Sequence, residues 1–171
     1  MDKDTISLFS LYNIETNKKM NEIIRTLEND EWQKEFKGYF NSIRSMCNHI
    51  YIGDFNWLKR FSKLKDFEFI NNSIFNLDIK FSESVFHSKD EYLEKRKILD
   101  NYINDFINEI DNIDLGSNLI YKDSKGNEYN KNFGKLIIHM FNHQTHHRGM
   151  ISIYLEEMGI ENDYSNLNSI I

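Results

Sequence analysis

Four of the six histidines in this chain fall within nine residues: His139, His143, His146 and His147 in "HMFNHQTHHRG". Imidazoles at such density suit proton transfer, hydrogen bonding or metal binding, and their spacing decides which is worth pursuing. Leu136, Met140, His143, His147, Ile151, Tyr154 and Met158 follow one another at steps of three or four residues. That is one continuous helix face, the face that turns toward a core. His143 and His147 therefore stand where aliphatic side chains are expected. Burying an unpaired imidazole costs on the order of 1–3 kcal/mol, so each needs a partner. Two imidazoles one helical turn apart point the same way and can share one cation, as in the helical HExxH zinc motif. Here Gln144 follows His143 where that motif carries Glu, so the general base of a zinc protease is missing and that activity is excluded.

A metal needs further ligands. An earlier apolar segment offers His49, flanked by Met46, Ile50 and Gly53 on its inner side. One histidine from that segment and the His143/His147 pair make a triad of neutral nitrogens, and three protein ligands leave room for water or substrate. Imidazole suits zinc, nickel, iron, cobalt or copper, and spacing does not choose among them. The plainer reading stands beside this one: each histidine is a hydrogen-bonded core residue. His139, one turn before His143, extends the row, supports it from behind or lies on the surface. His146 is rotated off the stripe, and His87 lies in a polar connection. Asp54, a little over one turn beyond His49, is placed to orient a ligand imidazole. Arg148 is placed to meet a carboxylate of a bound small molecule, an acid on the first helix or an acid of a partner copy. Cys47 reads as a small core residue.

The elements that must position these residues are mostly helical. Ile6, Phe9, Tyr12, Met20, Ile23, Ile24 and Leu27 predict a first helix over about 5–28, weakest near Glu15–Lys19. A short turn or helical connector follows at Glu31–Glu35. Tyr39, Phe40, Ile43, Met46, Cys47, Ile50, Trp57, Leu58 and Phe61 predict a second helix over about 37–61. Residues 62–88 read as a long connection with short strands available in "FEFINNSIFNLDIKF". Ser88 or Asp90 can cap a third helix, whose buried face runs from Tyr92 to Ile110 and Ile113. Apolar flanks around Asp123–Asn127, with Gly126 free to take positive φ, predict a β-hairpin. The last helix runs over about 131–158 and stops at Gly159. The remaining tail is polar and expected to dock loosely. Four long amphipathic segments predict an all-α fold, a four-helix bundle with a small β-hairpin before the last helix, as one domain over 1–171.

Composition narrows the function further. There is no Pro, no Ala and one Val, with Asn, Ile and Lys in their place. We read this as coding bias, apart from the absence of Pro, which leaves long helices uninterrupted. The net charge is −6, and the densest basic run, "EKRK" at Glu94–Lys97, reads as a helix face with acids beside it. A nucleic-acid partner is not expected, because phosphate binding draws on Lys and Arg. A single cysteine fits a reducing cytoplasm. The N-terminus lacks the basic region of a signal peptide, and no stretch approaches a membrane span, so a cytoplasmic protein without membrane contact is expected.

The histidine cluster also carries a family likeness. "HMFNHQTHHRGMISIYLEEMGI" closely resembles the last-helix signature of the DinB-like family, often grouped with YfiT-like metal-dependent proteins. "SMCNHIYIGDFNWLKRF" resembles that family's second-helix segment, where a His precedes an acid and a Trp, and Asp163 resembles its usual tail. The family usually has Gln where this chain has Met150. The resemblance implies up-up-down-down bundle topology, a homodimer, and a divalent metal on three histidines that map onto His49, His143 and His147. Zinc or nickel comes first, with iron, manganese and cobalt as alternatives. Some relatives look like transferases or isomerases that use a low-molecular-weight thiol such as bacillithiol, mycothiol or glutathione. The leading expectation is thus a metal-dependent thiol S-transferase acting on a small-molecule substrate. The alternatives are a non-catalytic, stress-associated metal-binding module and a plain helical bundle with hydrogen-bonded histidines.

Overall fold

The computed structural model describes residues 2–171. Among them there are six α-helices and one two-stranded antiparallel sheet. The helices are α1 (Lys3–Thr26), α2 (Asn29–Gln33), α3 (Ile43–Phe61), α4 (Lys89–Glu109), α5 (Asn112–Gly116) and α6 (Phe133–Glu157). The strands β1 (Asn118–Lys122) and β2 (Glu128–Asn132) form the hairpin before α6. The four long helices pack by their apolar stripes, α1 on α4 and α6, and α3 on α4 and α6. Their shared core includes Ile6, Ile24, Ile50, Phe55, Phe61, Leu99, Phe106, Ile137, Met140 and Ile151. No helix is long and apolar enough to cross a membrane among the described residues.

Side-chain caps set the helix starts. Asp2 accepts from Thr5 N at 2.9 Å, and Ser88 accepts from Glu91 N at 3.1 Å. Asn132 Oδ1 accepts from Lys135 N at 3.0 Å, so α6 begins at Phe133. Each satisfies a backbone donor that the first helical turn leaves free. At the other end of α6, Gly159 takes φ 75° and the Ile160 N–H returns to Leu155 O, closing the helix with a left-handed cap. The hairpin pairs Tyr121 with Tyr129, their rings stacked at 5.5 Å, and Gly126 takes φ 86° in its turn.

Several expectations are corrected. The second long helix starts at Ile43, not near residue 37, because Ser42 caps it by accepting from Ser45 N. The residues before it form a loop held by Tyr154: its hydroxyl donates to Phe40 O at 2.7 Å, and its ring stacks on Phe36 at 4.3 Å. Gly38 permits that approach, since a β-carbon there would stand 2.5 Å from the Tyr154 hydroxyl. Tyr39, expected inside, is 92% exposed. The 62–88 connection contains no strand; it makes 3-10 turns at Phe69–Asn71 and Ser73–Asn76. Its aromatics pack into the helical core, Phe69 on Phe106 and Phe75 on Phe55, instead of along a partner strand. The third long helix ends at Glu109, and Ile113 falls in the separate α5 and is exposed. The tail is anchored rather than loose. Tyr164 is buried and donates to Arg148 O at 2.7 Å, while Tyr12 donates to Ser165 O at 2.8 Å.

Candidate metal centre

His49 comes from the second turn of α3, and His143 and His147 from successive turns of α6. The packing of α3 on α6 brings them together. Nε2 of His49 and Nε2 of His143 lie 3.0 Å apart, and Nε2 of His147 lies 3.1 Å from the same atom of His143. One ring nitrogen from each of the three falls within 4.8 Å of the others. Ring centroids are separated by 4.9, 4.6 and 4.4 Å.

Hydrogen bonding alone does not satisfy this cluster. A ring nitrogen carries either a proton or a lone pair, so Nε2 of His143 can make one good N–H···N bond with its two neighbours but not two. A cation accepts all three lone pairs at once. Nitrogens about 2.0–2.1 Å from a tetrahedral ion would lie about 3.3–3.4 Å apart, close to the spacing seen here. The protonation states agree with that use. Burial lowers the pKa of His49. Burial and neighbouring imidazoles lower His143 to about 3 and His147 to about 4. All three rings are neutral at pH 7, the form that binds metals.

Packing orients the rings. Nδ1 of His143 and of His147 is buried with no hydrogen-bond partner among the described residues. Phe40 stacks on His49 at 4.2 Å and meets His147 edge-on at 5.5 Å. Gly53 leaves the space that the His143 ring fills, with the nearest ring carbon 3.2 Å from where a β-carbon would be. A cavity of about 450 Å³ opens beside His49, lined by Phe40, Arg44, Phe81, Glu83 and Ser84 among others.

The remaining sequence candidates take other roles. Asp54 does not reach an imidazole. Its Oδ2 accepts from Arg96 at 2.6 Å inside the core, because α4 brings a buried guanidinium against it. Arg148 is 2% exposed and cannot meet a bound molecule or a partner copy. Its two terminal nitrogens are held by Asn13 and Asn17 of α1 and by Gln144 and Thr145 of α6. His139 is exposed and lies edge-on to Trp57 at 5.4 Å, outside the triad. His146 and His87 are exposed. Cys47 is fully buried, and burial pushes its thiol up to about 12, so it is unreactive.

Sequence reasoning missed two features. Phe40, which apolar spacing assigns to a helix, covers His49 from the loop before α3. Arg96, within the helix face "EKRK" that the sequence reads as having acids beside it, is 1% exposed and bridges Asp54 and Asp100 at 2.6 and 2.7 Å. Asn17 joins this network by donating to Asp100 at 2.9 Å. Polar positions interrupting an apolar stripe, as at Asn13 and Asn17, were the available signal.

A helical protein with a three-histidine cluster able to hold a metal is therefore the class that fold and site define. The chain matches the DinB family over residues 1–167 and belongs to it. Among curated proteins, none matches it.

Proposed function

We propose that this protein is a metal-dependent enzyme that transfers a low-molecular-weight thiol to an electrophilic small molecule. The observation carrying this reading is the convergence of three neutral imidazole nitrogens beside an open cavity. A divalent ion held there, zinc or nickel by ligand chemistry, supplies a lowered thiol pKa, so that a thiolate nucleophile exists at neutral pH. His49, His143 and His147 contribute no charge, which leaves an anionic fourth partner favoured. Phe40 and Phe81 wall the cavity and pack against the His49 ring. In the reaction a carbon–sulfur bond forms, the bond from carbon to a leaving group such as halide breaks, and the thiol proton passes to solvent.

The frame in this reading is one domain, a four-helix bundle of up-up-down-down topology that works as a dimer. The packing of α1 and α3 each against both α4 and α6 supports the bundle. The test starts with elemental analysis of protein purified without a histidine tag. Stoichiometric metal, lost in His147→Ala, is expected. Consumption of a haloarene with several cellular thiols then reads the activity. Bound metal without turnover of any thiol would leave a non-catalytic metal-binding module instead. No metal after reconstitution with zinc, nickel, iron or manganese would leave a bundle with histidines in its core.

A further inference from the structure

The cavity beside His49 contains a guanidinium that makes no ion pair among the described residues. Arg44 lies in the first turn of α3, one and a half turns before His49, and its side chain is half-buried in the cavity wall. Its NH1 donates to Gln33 Oε1 at 3.2 Å, and its NH2 donates to Ser84 Oγ and Phe86 O, each at 3.2 Å. All three acceptors are neutral, and among the described residues the guanidinium has no carboxylate partner. By contrast, Arg96 has two carboxylates and Arg148 is enclosed by amides. A guanidinium fixed by three neutral contacts presents a rigid fork, the geometry that carboxylates fit. Glu83 lines the same cavity from the 62–88 connection and is not paired with Arg44.

We propose that Arg44 is the binding residue that selects a carboxylate-bearing thiol in the cavity beside His49. This rests on the thiol reading above and specifies its ligand class. The thiol sulfur faces the histidine cluster and the carboxylate faces Arg44. Glu83 sets the opposite sign on the rim, so it weakens binding of the same carboxylate and disfavours ligands with a second acid.

The experiment uses the full chain loaded with cobalt(II), whose visible spectrum reports ligand binding directly. It is titrated with 3-mercaptopropionate, 2-mercaptoethanol and propionate. The wild-type protein should bind 3-mercaptopropionate at least tenfold more tightly than 2-mercaptoethanol. Arg44→Gln should bring that ratio close to one with 2-mercaptoethanol unchanged, Arg44→Lys should keep part of it, and Glu83→Gln should raise it. Equal affinities for the two thiols in the wild type, or equal losses of both in Arg44→Gln, would overturn the assignment. If 3-mercaptopropionate and propionate bind with equal, Arg44-dependent affinity while 2-mercaptoethanol leaves the spectrum unchanged, the carboxylate role stands and the thiol chemistry falls. If no compound perturbs it, both fall.

Discussion

Gly53 and His143 are matched across the α3–α6 interface: a β-carbon on Gly53 would stand 3.2 Å from Cε1 of the His143 ring and 3.6 Å from its Nδ1. Glycine is otherwise unfavourable here, since it lies inside a helix and costs about 1 kcal/mol relative to alanine. The position therefore holds a residue that suits the ring, not the helix. Gly53→Ala should separate the two demands. The ring must give by a few tenths of an ångström, and metal affinity should fall by about tenfold, the lower end of what loss of ligand support costs. Thermal stability without metal should not fall, because the helix gains what the contact loses. Competition with a chromophoric chelator and calorimetry on the metal-free protein read the two effects. Unchanged affinity in Gly53→Ala would mean that this contact does not hold the ring.

Arg96 sits between Asp54 and Asp100 with 1% of its side chain exposed. Burial pushes Asp54 up to about 7 against the pull of that guanidinium. Removing the arginine alone strands two carboxylates in the core, so Arg96→Met should cost about 3–5 kcal/mol in urea unfolding. Replacing all three charges together, as Asp54→Leu, Arg96→Met and Asp100→Leu, should recover most of that loss, because isolated buried charge is the expensive state. A triple variant no more stable than Arg96→Met would show that the pair, and not its desolvation, dominates.

This network also marks where the sequence could be read and where it could not. Apolar spacing located the stripe bearing His143 and His147, and turn chemistry located the hairpin at Gly126, the helix start at Ser88 and the stop at Gly159. Those signals are local, set by a few neighbouring residues. Arg96, Asp100, Asn13 and Asn17 are polar at helical spacing, and a polar residue reads as surface unless its partner is known. Each has at least one partner on another helix, far along the chain, as with Arg96 and Asp54, Asn17 and Asp100, and Arg148 and Asn13. Phe40 was misplaced for a related reason. Its apolar side chain fitted the helical period, but the capping bond at Ser42 and the Tyr154 hydroxyl decide where the helix begins.

The histidines give the metal-free protein a pH dependence of known sign. His143 and His147 titrate at about 3 and 4 when folded, against 6.5 ordinarily, because burial and neighbouring imidazoles disfavour their charged forms. Between those values the unfolded chain binds more protons, so stability rises with pH. Their contribution is complete above about 6.5 and is lost as pH falls through 4 and then 3. Asp54 works the other way. Raised to about 7, its contribution is complete below 3.8 and is lost as pH rises through 7. The urea midpoint should therefore rise from pH 4 to 6.5, and Asp54→Asn should steepen the rise. A slope that flattens in Asp54→Asn would contradict this assignment of signs.

The tail offers a test of how firmly α6 is held. Tyr164 is buried and donates to the carbonyl of Arg148, the residue next to His147. Tyr164→Phe removes that bond alone and should cost about 1 kcal/mol, with the denaturant slope unchanged. Tyr164→Ala also empties a core position and should cost about 3–5 kcal/mol. The histidine cluster is built from α3 and α6 without any atom of the tail, so both variants should retain full metal stoichiometry below their unfolding transitions. A tail that merely rests on the surface would give stability changes near zero for both. Loss of metal from folded Tyr164→Phe would instead mean that the tail sets the position of His147 through the backbone at Arg148.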